Sequence, residues 1–61
     1  MCESIAYLVK NGINEKIMEN VIAAEPQGDS VFLEDILGDQ RLVKGRLTAI
    51  KLLDHKILIE A

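Results

Sequence analysis

Residues 3–12 read Glu-Ser-Ile-Ala-Tyr-Leu-Val-Lys-Asn-Gly, and this stretch carries the pattern from which the fold is inferred. Its apolar side chains alternate between two faces of an extended chain, with Ile5, Tyr7 and Val9 on one face and Ala6 and Leu8 on the other. The alternation predicts a strand with two half-buried faces. Asn11-Gly12 follows directly, and this dipeptide tolerates positive φ at both central positions of a tight hairpin turn.

Three further turn signals divide the rest of the chain: Pro26-Gln27-Gly28-Asp29, Gly38-Asp39 and Asp54-His55. Pro fixes φ and Gly supplies the left-handed conformation, which is why such groups predict turns. Short apolar strands are expected between them, at 31–33, at 40–53 and at 56–60. The second of these, the long stretch 40–53, is interrupted by Gly45, and a glycine inside a strand often marks a bulge or the bend of a barrel corner. Turns at these intervals favour an antiparallel meander.

Residues 14–24 do not fit the meander by periodicity alone. The apolar residues Ile17, Met18, Val21 and Ile22 have helical spacing, and Asn14 is well placed as an N-cap. Leu47, Ile50 and Leu53 are also spaced by three. Pattern alone slightly favours a helix for 14–24, whereas the meander predicts a long strand with a bulge near Glu19-Asn20.

The length of 61 residues predicts a single domain, residues 1–61. Folding at this size removes only roughly 60% of the unfolded chain's surface from water, so a lone monomer is marginally stable. The chain is 49% apolar with two aromatic residues, Tyr7 and Phe32. Its one cysteine excludes an intramolecular disulfide, which leaves a metal or a partner chain as the stabiliser. We therefore expect self-association.

The charge balance argues mildly against nucleic acid. Ten acidic and seven basic residues give a net charge of −3, whereas phosphate backbones are bound by clustered Lys and Arg. The nearest approach to a cluster is Arg41, Lys44 and Arg46. The sequence has no apolar run long enough to span a membrane and no signal-peptide pattern at its start. We expect a cytoplasmic, reducing location in which the cysteine stays a free thiol.

Cys2 is the residue where chemistry is expected. A thiolate with a backbone nitrogen or α-amine one or two atoms away is a chelate for a thiophilic metal ion. No Ser/His/Asp arrangement, phosphate loop or paired CxxC motif occurs in the sequence, so we expect no enzyme active site. His55, the one histidine, lies in a predicted turn between two charged residues and is interpreted as a solvated side chain rather than a ligand.

The chain resembles the small CooT-type nickel-binding proteins along nearly its whole length. The resemblance rests on the joint order of these blocks: Met1-Cys2-Glu3-Ser4, Tyr7-Leu8, Ile17-Met18-Glu19-Asn20-Val21, Glu25-Pro26, Leu37-Gly38 and Asp54-His55-Lys56-Ile57. It implies an all-β fold of five to six antiparallel strands, a small barrel similar to Sm-like and SH3-like barrels, in a homodimer. It also implies that residues 14–24 form a strand.

The resemblance further implies one Ni(II) per dimer, held where the two copies of Cys2 meet, and a role in maturing the nickel-containing carbon monoxide dehydrogenase. Ni(II) favours square-planar sites with thiolate and nitrogen donors. The nitrogen would come from the backbone of Cys2 or Met1, depending on whether Met1 is cleaved. Glu3 is a candidate for a contact next to the metal, and Ser4 for a hydrogen bond to the Cys2 sulfur.

Two other functions remain open from the residues. An Sm-like RNA-binding protein would need a basic rim or stacking aromatics, for which Tyr7 and Phe32 are the candidates. A metal-free module would bind a partner protein through its aliphatic surface. The client enzyme and the choice between nickel delivery and storage are not encoded in any motif.

Overall fold

The computed structural model describes residues 4–61, which form one six-stranded sheet. The strands are β1 (Ser4–Lys10), β2 (Ile13–Gln27), β3 (Ser30–Asp35), β4 (Gln40–Lys44), β5 (Arg46–Lys51) and β6 (Lys56–Glu60). Their order across the sheet is β4-β3-β2-β1-β6-β5. The sheet curls into a half-barrel, and β4 and β5 are its two edges. The predicted all-β class is confirmed, and no helix in residues 4–61 has the length and apolar character to cross a bilayer.

The predicted turns are present with small shifts in position. Asn11 and Gly12 have φ of 52° and 78°, as their hairpin turn requires. The second turn is confined to Gly28-Asp29, because Pro26 and Gln27 still pair with β3. The third and fourth turns begin earlier than expected and occupy 36–39 and 52–55.

Residues 14–24 lie within strand β2, so the helix favoured by periodicity is wrong and the strand implied by the resemblance is confirmed. The inward residues Met18 and Val21 are buried, and Ala24 packs against them. Their three-residue spacing arises because the register with β1 jumps at Glu19-Asn20, where Ser4 pairs with Val21 but Ala6 pairs with Met18. Each extra residue in a bulge moves the next inward side chain one position along the chain. The bulge predicted near Glu19-Asn20 is therefore confirmed.

The expectation of a purely antiparallel sheet is wrong for one pair of strands. β1 and β6 run parallel, with Ala6 opposite Ile57 and Leu8 opposite Ile59. The reason is Gly45, where the chain bends without reversing. β5 consequently runs in the direction of β4 but on the opposite side of the sheet, and the turn at 52–55 then sets β6 parallel to β1.

Gly45 also lies close against the backbone of β6. A Cβ at this position would lie 2.7 Å from the Glu60 carbonyl oxygen and 2.9 Å from the Ile59 side chain, and φ is 153°. Only glycine fits such a position. The predicted role of Gly45 as a bend is confirmed.

The core lies on the concave face of the half-barrel and is aliphatic. It contains Ala6, Met18, Val21, Val31, Leu33, Val43, Ile57 and Ile59. Leu33 and Ile59 are completely buried. On the convex face Tyr7 and Phe32 are half-buried, which agrees with the two half-buried faces predicted for β1.

Candidate metal centre

The start of β1 is the point from which residues 1–3 extend, and the sheet fixes it on both sides. Ser4, the first described residue, is half-buried and pairs with Val21 of β2. The Ile5 amide donates a 2.8 Å hydrogen bond to the His55 carbonyl oxygen. The predicted ligand Cys2, its neighbour Glu3 and the backbone nitrogens of Met1 and Cys2 lie outside the described residues.

The described part of the chain contains no alternative metal site. Residues 4–61 hold no group of three or more His, Cys, Asp or Glu side chains that converge as ligands. His55 lies exposed in the turn between β5 and β6 with φ of 55°, as predicted for a solvated residue. Since the chain has one cysteine and one histidine, a thiolate site can be built from this sequence only around Cys2.

A bulge and a loop flank the start of β1 on one side. Asn20 adopts φ of 54° in the bulge, and its carbonyl oxygen accepts a 2.9 Å hydrogen bond from the Ile36 amide. This bond ties the loop between β3 and β4 to the part of β2 that lies beside Ser4. Asn tolerates the left-handed conformation better than most residues, which explains why it occupies the bulge.

Asp35 organises that loop from within. One of its carboxylate oxygens accepts hydrogen bonds from the amides of Leu37, at 2.9 Å, and Asp39, at 3.0 Å. Its backbone carbonyl oxygen accepts a third from Gly38 at 3.0 Å. With the loop backbone satisfied internally, the side chains of Ile36 and Leu37 face water, with exposed fractions of 54% and 84%.

The turn between β5 and β6 flanks the start of β1 on the other side. Its shape is closed by a 3.3 Å hydrogen bond from the His55 amide to the Leu52 carbonyl oxygen. Leu52 and Leu53 are 77% and 96% exposed. Two adjacent leucines in a tight turn have no packing partner among residues 4–61.

We call these exposed residues the apolar rim: Ile22, Ile36, Leu37, Leu52 and Leu53. They lie in the three segments beside the first residues of β1. Large exposed apolar side chains grouped in neighbouring segments are candidates for an interaction site. The rim was not predicted from the sequence, although a signal was present: Ile36-Leu37 and Leu52-Leu53 each directly precede a predicted turn, where polar residues are usual.

One cleft lies at the other end of the half-barrel. It has a volume of about 420 Å³ and is lined by Gly28, Asp29, Gly45, Arg46, Glu60 and Ala61. It contains neither a thiol nor an imidazole. The cleft is not suited to Ni(II), because its polar groups are hard oxygens and a guanidinium cation. Ni(II) prefers thiolate and nitrogen donors.

The two aromatic residues do not form a shared stacking platform. Tyr7 pairs with Lys16 and Phe32 with Glu25, nine residues apart on β2, which is up to roughly 30 Å along a strand. The Lys56 ammonium lies 5.9 Å from the centre of the Tyr7 ring. RNA recognition through stacking of neighbouring bases on both rings, as the Sm-like alternative requires, gains no support from this arrangement.

One ion pair stands beside the bulge. The Lys16 ammonium lies 2.6 Å from a Glu19 carboxylate oxygen. Their hydrogen bond and mutual attraction raise the pKa of Lys16 and lower the pKa of Glu19 relative to their ordinary values. Both side chains are exposed, so the pair stabilises the fold very little.

The chain is similar over its whole length to one protein family. The family model described as "CO dehydrogenase accessory protein CooT" matches residues 1–60. The crystal structure of a protein assigned as CooT from Carboxydothermus hydrogenoformans superposes with a TM-score of 0.85 at 32% identity, covering 97% of this chain and 95% of that one.

Uncharacterized archaeal proteins are also similar. One from Methanocaldococcus jannaschii is 38% identical over 98% of both chains. Another, from Methanothermobacter thermautotrophicus, is 40% identical over 98% of this chain and 89% of its own length. A third, from Archaeoglobus fulgidus, is 44% identical over 70% of this chain and 96% of its own.

Proposed function

Because the chain belongs to the CooT family of CO dehydrogenase accessory proteins, we propose that it binds Ni(II) as cargo, one ion per homodimer, through the two Cys2 thiolates. The family assigns an accessory role in the maturation of the dehydrogenase rather than catalysis. The single observation that carries the nickel proposal is that one cysteine is present, at position 2, with no competing ligand cluster in residues 4–61.

The position of the apolar rim supports the pairing of two cysteines. Covalent geometry keeps the Cα of Cys2 within about 7 Å of the Cα of Ser4, and the rim flanks Ser4. If two copies bury their rims against each other about a two-fold axis, every contact occurs twice. The two Cys2 thiols then approach each other at the interface, and one sulfur per chain becomes two per site.

The donor chemistry suits the cargo. Two thiolates and two backbone nitrogens make the four-donor set that Ni(II) favours in square-planar coordination. The nitrogens are those of Cys2 or Met1. Glu3 and Ser4 are the nearest polar neighbours in sequence, and we expect them to tune the site rather than to bind the ion. The thiols stay reduced in the cytoplasm, where we place the protein.

A site ahead of the first strand can release its cargo without unfolding the sheet. Ser4 and Ile5 are held by Val21 and by the His55 carbonyl oxygen, whereas Cys2 precedes these bonds. Opening the metal site therefore breaks no pairing between the described strands. This suits a protein that delivers nickel to another protein.

A Ni(II) titration by calorimetry tests the proposal. We expect half an ion per wild-type chain, thiolate-to-nickel charge-transfer absorption, and loss of both in Cys2→Ser. His55→Ala is the matched control and should bind as wild type does. Equal binding by wild type and Cys2→Ser would overturn the cysteine site. No binding by wild type would favour the metal-free interaction module instead.

The pH dependence has a defined sign. Nickel displaces protons from the thiols, so affinity should fall as the pH is lowered. A titration repeated at decreasing pH should show a progressive loss of affinity while the sheet remains folded by circular dichroism. An affinity independent of pH would contradict thiolate ligation.

The accessory role is tested with the client. Nickel-loaded protein should activate nickel-deficient carbon monoxide dehydrogenase in the presence of a chelator that removes free Ni(II). Cys2→Ser, loaded under the same conditions, should give no activation. Activation by both proteins alike would show that the cysteine site is not the source of the metal.

A further inference from the structure

The positive charge of this acidic protein is concentrated in one segment. Residues 40–53 contain four basic residues and no Asp or Glu: Arg41, Lys44, Arg46 and Lys51. The rest of the chain contains three basic and ten acidic residues. A segment of four positive charges thus stands in a chain whose remaining charges are predominantly negative.

The fold places this segment on the two open edges of the sheet. β4 and β5 each pair with a neighbour on one side only, so their other sides present unpaired backbone N–H and C=O groups. β4 pairs with β3 in continuous register, whereas β5 shifts register between Leu47 and Ala49. A regular edge accepts an added strand better than a bulged one, which singles out β4.

The Arg41 guanidinium donates a 2.8 Å hydrogen bond to the Ile17 carbonyl oxygen, whereas Lys44 and Arg46 are held only weakly by their neighbours. Lys44 lies 3.9 Å from Asp29 with both side chains more than 80% exposed, and Arg46 lies 3.8 Å from Glu60. Exposed pairs at these distances contribute little. Leu42 on the same strand is 63% exposed and stands opposite Phe32, so the edge offers apolar contact beside positive charge.

We propose that the free edge of β4 binds an extended acidic segment of a partner protein by strand addition. The main-chain groups of β4 supply hydrogen bonds, an apolar side chain of the partner lies against Leu42, and carboxylates lie near Lys44 and Arg46. The proposal goes beyond nickel binding, since it uses neither Cys2 nor the apolar rim.

The charge pattern favours this occupant over a second copy of the chain. Edge pairing of β4 with β4 or with β5 would bring two positively charged strands together without any acidic side chain between them, and like charges on neighbouring strands are destabilising. It also favours a peptide over nucleic acid. Residues 40–51 contain no aromatic side chain on which a base could stack.

A designed peptide of eight alternating glutamate and valine residues, with blocked ends, is the probe. Titrated into ¹⁵N-labelled protein, it should shift the amide resonances of residues 40–44 more than those of β1 and β6. Lys44→Glu should weaken binding at least tenfold. Lys10→Glu makes an equal charge change on an exposed residue of β1. Because salt screens long-range attraction, this variant should weaken peptide binding no more than about twofold. Cys2→Ser should leave it unchanged.

Two comparison ligands complete the test. The same peptide with its valines replaced by proline keeps the charge but loses half of its N–H donors, and it should not bind measurably. Equal binding of that peptide would show that the edge attracts acidic peptides only by non-specific electrostatics, and it would overturn strand addition. Tighter binding of a uridine decamer to residues 40–51 would overturn the peptide in favour of RNA. Failure of the glutamate–valine peptide to bind at millimolar concentration would also overturn the proposal.

Discussion

The two ends of the half-barrel expose different chemistry. The end where β1 begins carries the apolar rim, with Leu37 and Leu53 almost fully exposed. The far end, around Gly45, carries ion pairs between Arg46 and Glu60 and between Lys44 and Asp29. The far end exposes charged side chains and one large apolar residue, Ile13, whereas the rim end groups five large apolar side chains that water solvates poorly. The difference supports the proposal that another molecule covers the rim.

The largest effect is expected from a methyl group added at the far end. Gly45→Ala places a Cβ 2.7 Å from the Glu60 carbonyl oxygen at φ of 153°, and overpacking plus backbone strain should cost about 2–5 kcal/mol. That is a large part of the stability of a domain this small. Urea unfolding monitored by circular dichroism measures it.

Gly38→Ala is the control from the rim end. Gly38 has φ of 90° with nothing within 4 Å of the added Cβ, so only the backbone penalty of about 1–2 kcal/mol applies. If the two substitutions cost the same, the close approach at Gly45 does not stabilise the far end, and the contrast between the two ends is wrong in this respect.

The direction of the last strand could have been predicted from the residues around Gly45. Four turns reverse the chain between β1 and β6. If the chain bends at Gly45 without turning back, the number of reversals stays even. β6 must then run parallel to β1, as it does. The antiparallel expectation came from the meander and the resemblance, and it did not consider that β1 and β6 become neighbours in the sheet. The sequence did not reveal the close contact between Gly45 and Glu60, which requires a glycine at the bend.

The assignment of β2 could not be made from periodicity, for a physical reason. Bulges moved the inward residues of β2 to Met18, Val21 and Ala24, and a spacing of three is also the signature of a helix. The intervals between the turn signals favoured a meander with a strand at this place, and the resemblance implied a strand as well. For the site, the sequence identified Cys2 as the one available thiol, but the rim depends on how a loop and a turn lie on either side of the start of β1, which no local pattern encodes.

The second effect concerns assembly at the rim. Replacing Leu37 and Leu53 together by serine removes apolar surface that has little packing in the monomer. We expect the dissociation constant of the homodimer to rise at least tenfold, as for central apolar contacts at interfaces, with the unfolding free energy of the monomer nearly unchanged. Analytical ultracentrifugation over a concentration series measures the first quantity.

Ile13→Ser is the matched control, because Ile13 is 71% exposed but lies next to the hairpin turn at the far end. It should leave the dimer intact. Dissociation caused by Ile13→Ser, with the double rim variant still dimeric, would move the interface to the far end and separate it from Cys2.

A smaller effect is expected from the carboxylate that holds the rim loop. Asp35→Ala removes the acceptor for the Leu37 and Asp39 amides, and the loss should cost about 1 kcal/mol. It should also displace Leu37 and weaken the dimer modestly. Asp54→Ala, in the turn of Leu52 and Leu53, is the control for charge; a loss as large as that of Asp35→Ala would argue that charge rather than loop hydrogen bonding is responsible.

The smallest effect belongs to the ion pair of Lys16 and Glu19, which lies on β2 beside the bulge near Ser4. Lys16 lowers the pKa of Glu19, so the pair's contribution is present above the unfolded-state pKa of Glu19 and is lost as the pH falls through the lower folded-state pKa. The raised pKa of Lys16 acts at the alkaline limit, where its contribution is lost as the pH rises through the folded-state pKa.

An NMR titration of the Glu19 carboxyl carbon should give a midpoint below the ordinary value in wild type and a higher one in Lys16→Gln. Because both side chains are exposed, the urea midpoint at neutral pH should hardly change between the two proteins. A marked loss of stability in Lys16→Gln would show that the bulge depends on this pair, and it would contradict the small contribution expected of an exposed ion pair.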